Sequence, residues 1–137
     1  MTVFEDIDKA IKGIFIDNDF GLPVAFENVF YDETDAENYI AVFQLPAPTV
    51  QATLGDSGCD YHAGLIQVDI NYRSFSGSSV LTKKSDEINA IVKSGATFTN
   101  NGLNVRIQNV SRERLIISDG FAKLIMSIEY YAFNARN

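Results

Sequence analysis

Three observations predict an α+β domain with a mostly antiparallel sheet and two helices packed on one face of it. In residues 63–72, Ile66, Val68, Ile70 and Tyr72 alternate with Gln67, Asp69 and Asn71, and a period of two gives a strand one apolar and one polar face. Residues 122–132 repeat the pattern, with Ala122, Leu124, Met126, Ile128, Tyr130 and Ala132 against Lys123, Ser127, Glu129 and Tyr131. Two stretches, 2–16 and 79–94, instead carry apolar residues at helical spacing. A sheet with one polar face needs covering on one side only, and two helices on that side are the economical packing.

The first helix is read from Val3, Phe4, Ile7, Ala10, Ile11, Ile14 and Phe15, an i, i+3, i+4, i+7 stripe. Thr2 followed by Glu5 matches a capping box, and Glu5, Asp6 and Asp8 suit the positive end of the helix dipole. Residues 17–23 hold Asn18, Gly21 and Pro23 and form the stop. Residues 24–29 read as a short strand and 31–38 as an acidic loop. Residues 39–45 are rich in strand formers and end at Pro46 and Pro48. Residues 50–54 resume a strand, and the turn Gly55-Asp56-Ser57-Gly58 joins it to the opening strand as a hairpin.

Gly77-Ser78-Ser79 offers an N-cap to the second helix, whose stripe is Leu81, Ile88, Ile91 and Val92, with Gly95 as its C′ residue. Asn100-Asn101-Gly102 is a turn. Leu103, Val105 and Ile107 mark one strand, and Leu115, Ile116 and Ile117 a separate one that turns at Ser118-Asp119-Gly120.

A chain of 137 residues fits a single domain, residues 1–137. No apolar run approaches the roughly 18–20 residues that span a membrane, and the acidic start does not read as a signal peptide. One cysteine, Cys59, excludes an intrachain disulfide. The net charge of −7 is unevenly placed: residues 1–62 hold twelve acids and two bases, and residues 63–137 six acids and nine bases. Without a basic cluster, nucleic-acid binding through phosphate neutralisation is disfavoured. The uneven charge reads first as a solvated acidic face on a soluble protein, and alternatively as a subunit whose two sides attract head to tail.

Tests for chemistry are negative. Cys59-Asp60-Tyr61-His62 is the single local cluster of ligand types, but a structural zinc site needs about four Cys or His ligands, and the chain holds one of each. Adjacent turn positions do not orient a Cys–His nucleophilic pair. Lys83-Lys84-Ser85 has no glycine at the spacing of a phosphate-binding loop. Asp32 and Asp35 are paired carboxylates with no His or Lys beside them. No active site, metal or cofactor is expected.

The succession Leu22-Pro23-Val24-Ala25-Phe26-Glu27-Asn28-Val29, Tyr39-Ile40-Ala41-Val42, Gln51-Ala52-Thr53-Leu54-Gly55 and Gly64-Leu65-Ile66-Gln67-Val68-Asp69-Ile70 resembles the tail terminator-like proteins of long-tailed bacteriophages. The likeness runs over residues 3–133. It implies a non-enzymatic virion component, assembled in the host cytoplasm: a hexameric ring that caps the tail tube, stops its polymerisation and presents the joining surface to the head. The implied partners are other copies of the chain, the major tail tube protein and a head-neck connector protein, with DNA passing through unbound and no membrane. On this reading Thr53, Leu54, Gly55, Asp56, Ser57 and Tyr61 form a projecting hairpin that meets a neighbouring subunit or the tube. Asp32, Glu33, Asp35 and Glu37 are candidate lumen-facing acids that keep DNA from sticking. The alternatives are another neck protein, such as a head-closure or tail-completion factor, and a small-molecule domain with Asp60, Tyr61 and His62 at a cleft mouth.

Overall fold

The alternation of residues 63–72 extends, in the structure, into a strand of fifteen residues. That structure is a computed structural model, and it describes residues 3–18, 20–26, 38–52, 58–73, 78–118 and 121–135. The elements are α1 (Val3–Asp17), β1 (Val24–Phe26), β2 (Asn38–Pro46), β3 (Val50–Gln51), β4 (Cys59–Arg73), α2 (Ser78–Ile91), β5 (Thr97–Asn100), β6 (Leu103–Ser118) and β7 (Phe121–Ala135). The strands form one sheet in the order β1-β2-β4-β7-β6-β5, with β3 pairing β4 beyond the end of β2.

The expectation of a mostly antiparallel sheet is corrected. The sheet is mixed, because β1 runs parallel to β2, with Val24 opposite Ile40 and Phe26 opposite Val42. Ile40 also donates its N–H to the carbonyl of Pro23, 2.9 Å away, which extends the parallel edge. Strands, not helices, make up most of the described chain. A period of two marks a strand but carries nothing about its direction.

Both helices and one sheet face share a single core. Ile7, Ile11 and Ile14 of α1 and Leu81 and Ile88 of α2 cluster with Ile40, Ile66, Val68, Ile70, Val105, Met126 and Ile128. Ile66 and Ile128 are opposite each other in register, as are Val68 and Met126, so the two alternating patterns supply one apolar surface. Asp6 is buried among these residues' neighbours and accepts a hydrogen bond from Asn100 Nδ2 at 3.1 Å. Phe4, which the helical stripe placed inside, is 69% exposed. Asn18 Nδ2 donates to the Ile14 carbonyl at 2.8 Å and closes the last turn of α1.

Three further boundaries differ from the sequence reading. Helix α2 ends at Ile91, and Gly95 is not its C′ residue. It sits at φ 88° in the following turn and donates its N–H to the Ile107 carbonyl. Strand β5, which the sequence reading left out, pairs β6 through a two-residue Asn101-Gly102 turn with both residues at positive φ. Residues 103–118 form one strand and not two; register shifts between Ile107 and Asn109 and between Arg112 and Leu115 interrupt its pairing with β7. The capping residue Thr2, the N-cap glycine Gly77 and the turn at Asp119 and Gly120 lie outside the described residues.

Candidate assembly surfaces and a half-open cavity

Of the residues proposed from sequence for the subunit contact and the lumen, Tyr61 alone can be placed. Thr53, Leu54, Gly55, Asp56 and Ser57 lie outside the described residues, as do Asp32, Glu33, Asp35 and Glu37. The approach to the first group is nevertheless clear. Val50 and Gln51 of β3 pair with Tyr61 and Asp60 of β4, and Ala52 N–H donates to the Cys59 carbonyl at 3.0 Å. The described residues on either side of 53–57 are thus paired antiparallel.

Tyr61 has odd parity in β4 and falls on the sheet face opposite the core. There it stands 5.2 Å from the Phe133 ring and 6.1 Å from the Tyr131 ring, centroid to centroid. Tyr131 and Phe133 meet edge to face at 6.0 Å. Phe133 is 51% exposed, and Phe43 and Leu45 expose further apolar surface on the same face of β2. Toward the other end of this face the character changes. Asp69 and Asn71, read from sequence as part of a polar face, are both buried. Gln67 Nε2 donates to Asp69 Oδ1 at 3.0 Å, and Lys123 Nζ lies 3.8 Å from Asp69 Oδ2. Asn71 Nδ2 donates to the Asp69 carbonyl at 3.1 Å, while Asn71 Oδ1 has no hydrogen-bond partner among the described residues.

His62 has even parity, so it points to the core side and away from Tyr61. It is buried. Its Nε2 is hydrogen-bonded to Asn134 Oδ1 and its Nδ1 lies 3.1 Å from Thr49 Oγ1. The amide oxygen can only accept, so the neutral ring carries its proton on Nε2 and Nδ1 accepts from the threonine hydroxyl. The imidazole thus ties β3's approach to β4 and β7, a structural use that leaves neither nitrogen free. The cleft imagined from Asp60, Tyr61 and His62 together is not formed, because alternation sends Tyr61 to the other face and the cavity beside His62 is not lined by Asp60.

That cavity, of about 290 Å³, lies between the start of α1 and the end of β2. Phe4, Ile7, Pro46, Ala47 and Ala63 give it apolar walls, and Asp8, Gln44, Thr49, His62 and Tyr130 supply polar atoms. Gln44 Nε2 donates to the Tyr130 hydroxyl at 3.3 Å. Burial pushes that hydroxyl above the ordinary phenol range; the Gln44 hydrogen bond opposes the shift and the charge of Asp8 adds to it. A group with its folded pKa raised loses its stabilising contribution as pH climbs, because the unfolded chain ionises first, near pH 10. Stability is therefore expected to fall as pH rises above about 10, and less steeply in Tyr130→Phe, as urea unfolding between neutral and alkaline pH would show. The glycine at position 64, within an otherwise well-patterned strand, marks the close approach of Tyr130 and of the end of β2.

No group of three or more His, Cys, Asp or Glu side chains able to hold a metal occurs among the described residues. No described helix is long and apolar enough to cross a membrane.

The surfaces just described are suited to contact between protein chains, and comparison with known proteins agrees with that class. A family model described as phage tail terminator protein matches residues 6–129. The chain belongs to that family, a family of phage tail structural proteins. Among solved structures, one at 21% identity superposes with a TM-score of 0.75 over 92% of each chain. Another, from the virion of a native gene transfer agent particle, is 11% identical with a TM-score of 0.61 over 97% of this chain and 98% of that one. At these identities the two structures share the fold. The search of curated proteins returned no match.

Proposed function

We propose that this protein closes as a hexameric ring on the tip of a phage tail tube, ends the tube's polymerisation and offers its outer surface to a head-neck connector protein. The observation that carries the reading is the tail terminator model matching residues 6–129. The uneven charge adds to it: a heterologous ring needs two different faces per subunit, and residues 1–62 and 63–137 carry opposite net sign. The hairpin of Thr53, Leu54, Gly55, Asp56, Ser57 and Tyr61 contacts a neighbouring subunit or the major tail tube protein. Asp32, Glu33, Asp35 and Glu37 face the lumen, where repulsion lets DNA pass without binding.

Electron microscopy of the protein mixed with purified tail tubes tests this directly. Tubes that carry a cap at one end and stop growing are the expected result; bare tubes that elongate as before would remove the reading. Assembly between exposed charges is also expected to weaken with salt, since they are screened within about 8 Å at physiological ionic strength. Light scattering across a salt series reads this as a falling mass. Replacing Tyr61 and Phe133 together by Ser is expected to leave the subunit folded and reduce capping; unchanged capping would show that the aromatic face is not the contact.

A further inference from the structure

Strand β6 lies between β7 and β5, but β5 covers only its start. Their pairing runs from Leu103 to Arg106, and the bonds of Ile107 to Gly95 and Ala96 add one residue more. From Gln108 onward no described residue pairs with the side of β6 turned away from β7. The backbone donors and acceptors of that stretch stand open, and an edge of this kind is a template for a strand of another chain. The run Leu115-Ile116-Ile117 sharpens the hazard, since Leu115 is 42% and Ile117 75% exposed.

One residue breaks the pattern of this strand. Val105, Ile107, Val110, Arg112, Leu115 and Ile117 stand opposite the core-side row of β7. All are apolar except Arg112, which faces the buried Met126. Arg112 is nevertheless exposed, so its guanidinium reaches water from the core side of an edge strand. There its Nη1 donates to Thr82 Oγ1 of α2 at 3.4 Å. A strand added to the edge would lie about 4.8 Å from β6 and set its own side chains against Arg112. The charge would lose its water, and arginine does not escape that cost by deprotonation.

No acid stands ready to offset the loss. Asp86 shares the groove beside Arg112 without an ion pair among the described residues. Glu113, next in the chain, accepts from Ser127 Oγ at 2.9 Å, and Ser127 alternates with Met126 and Ile128 onto the opposite face of the sheet. The register shifts on either side of Arg112 add a second obstacle. Bulges bend and twist an edge, so an incoming strand keeps register with it over a short run only.

We propose that Arg112, set between two bulges, blocks the pairing of β6 with β6 of a second copy. Edge-to-edge joining, which would place two copies about a two-fold axis, is thereby closed, and self-association is left to other surfaces of the subunit. The block acts whether or not the protein caps a tail tube.

Arg112→Met keeps a long side chain and removes the charge; Arg112→Gln does the same and retains a donor for Thr82. Sedimentation over a concentration series and amide exchange by mass spectrometry test both. Each variant is expected to keep a cooperative melt, to self-associate at least tenfold more tightly than wild type, and to show slowed exchange in residues 108–114 that grows with concentration. Wild type and Arg112→Lys should exchange those amides at rates independent of concentration. Leu115→Lys added to Arg112→Met returns a charge to the core side of the same edge and should restore wild-type behaviour in both readouts. Neutral variants that associate no more than wild type would overturn the proposal. So would association that Leu115→Lys leaves untouched, or concentration-dependent protection of residues 108–114 in wild type itself.

Discussion

Val68→Asp yields no folded subunit. Val68 is fully buried, opposite Val42 in β2 and Met126 in β7, on the face where both helices pack. The substitution removes about 1.5–3 kcal/mol of side-chain burial. It also places a carboxylate where no described basic group reaches it, and an unpaired buried charge costs several kcal/mol even after relaxation or protonation. A domain of this size is stable by about 5–15 kcal/mol, so the sum consumes most or all of it. Loss of the cooperative melting transition, or recovery of the protein only from inclusion bodies, is the expected result. Soluble protein with a normal melt would mean that the face of β4 has been misassigned.

Gly64→Ala is the second large effect, and it arises from space and not from backbone conformation. A Cβ at Gly64 would meet the Tyr130 hydroxyl at 2.7 Å, the Leu45 carbonyl oxygen at 2.8 Å and Pro46 Cα at 2.9 Å. Two of these three atoms are backbone, in the strand paired with Gly64 through Pro46, so they can yield only by moving β2. Overpacking of this kind costs about 1–3 kcal/mol, against about 0.4–1 kcal/mol gained by stiffening the unfolded chain. A net loss of about 1–2 kcal/mol in urea unfolding is expected. The double variant Gly64→Ala, Tyr130→Phe should recover part of it, because it removes the nearest clash. No recovery would place the whole strain in the backbone.

The long alternating strands were legible because their patterns are uninterrupted: Ile66 to Tyr72 and Ala122 to Ala132 each keep one parity along the core face. Strand β6 was not legible as one element for a definite reason. A bulge adds a residue to one strand, so each register shift slips the alternation out of phase. The shifts before Asn109 and before Leu115 leave two patterned pieces with Ser111, Arg112, Glu113 and Arg114 between them. The direction of β1 was hidden because parity is the same in either direction. The burial of Asp69 and Asn71 was hidden because alternation assigns a face without saying what covers it. The cavity, finally, is made by α1, β2, β4 and β7 meeting in three dimensions, which no pattern along the chain encodes. The candidate contact residues were supplied by resemblance, and of these Tyr61 alone has a described environment.

One feature of the topology also governs when the molecule can form. Strand β7 is the last element in sequence, yet it lies in the middle of the sheet, with Cys59 opposite Ala135 and Arg73 opposite Phe121. The central pairing therefore joins residues far apart in the chain, and loop closure must precede any gain from it. Until β7 arrives, β4 has an open edge and β6 has no partner but β5. While β7 is unpaired, that open edge is where aggregation competes with folding. A chain without residues 121–135 would lose the centre of its sheet and not its rim.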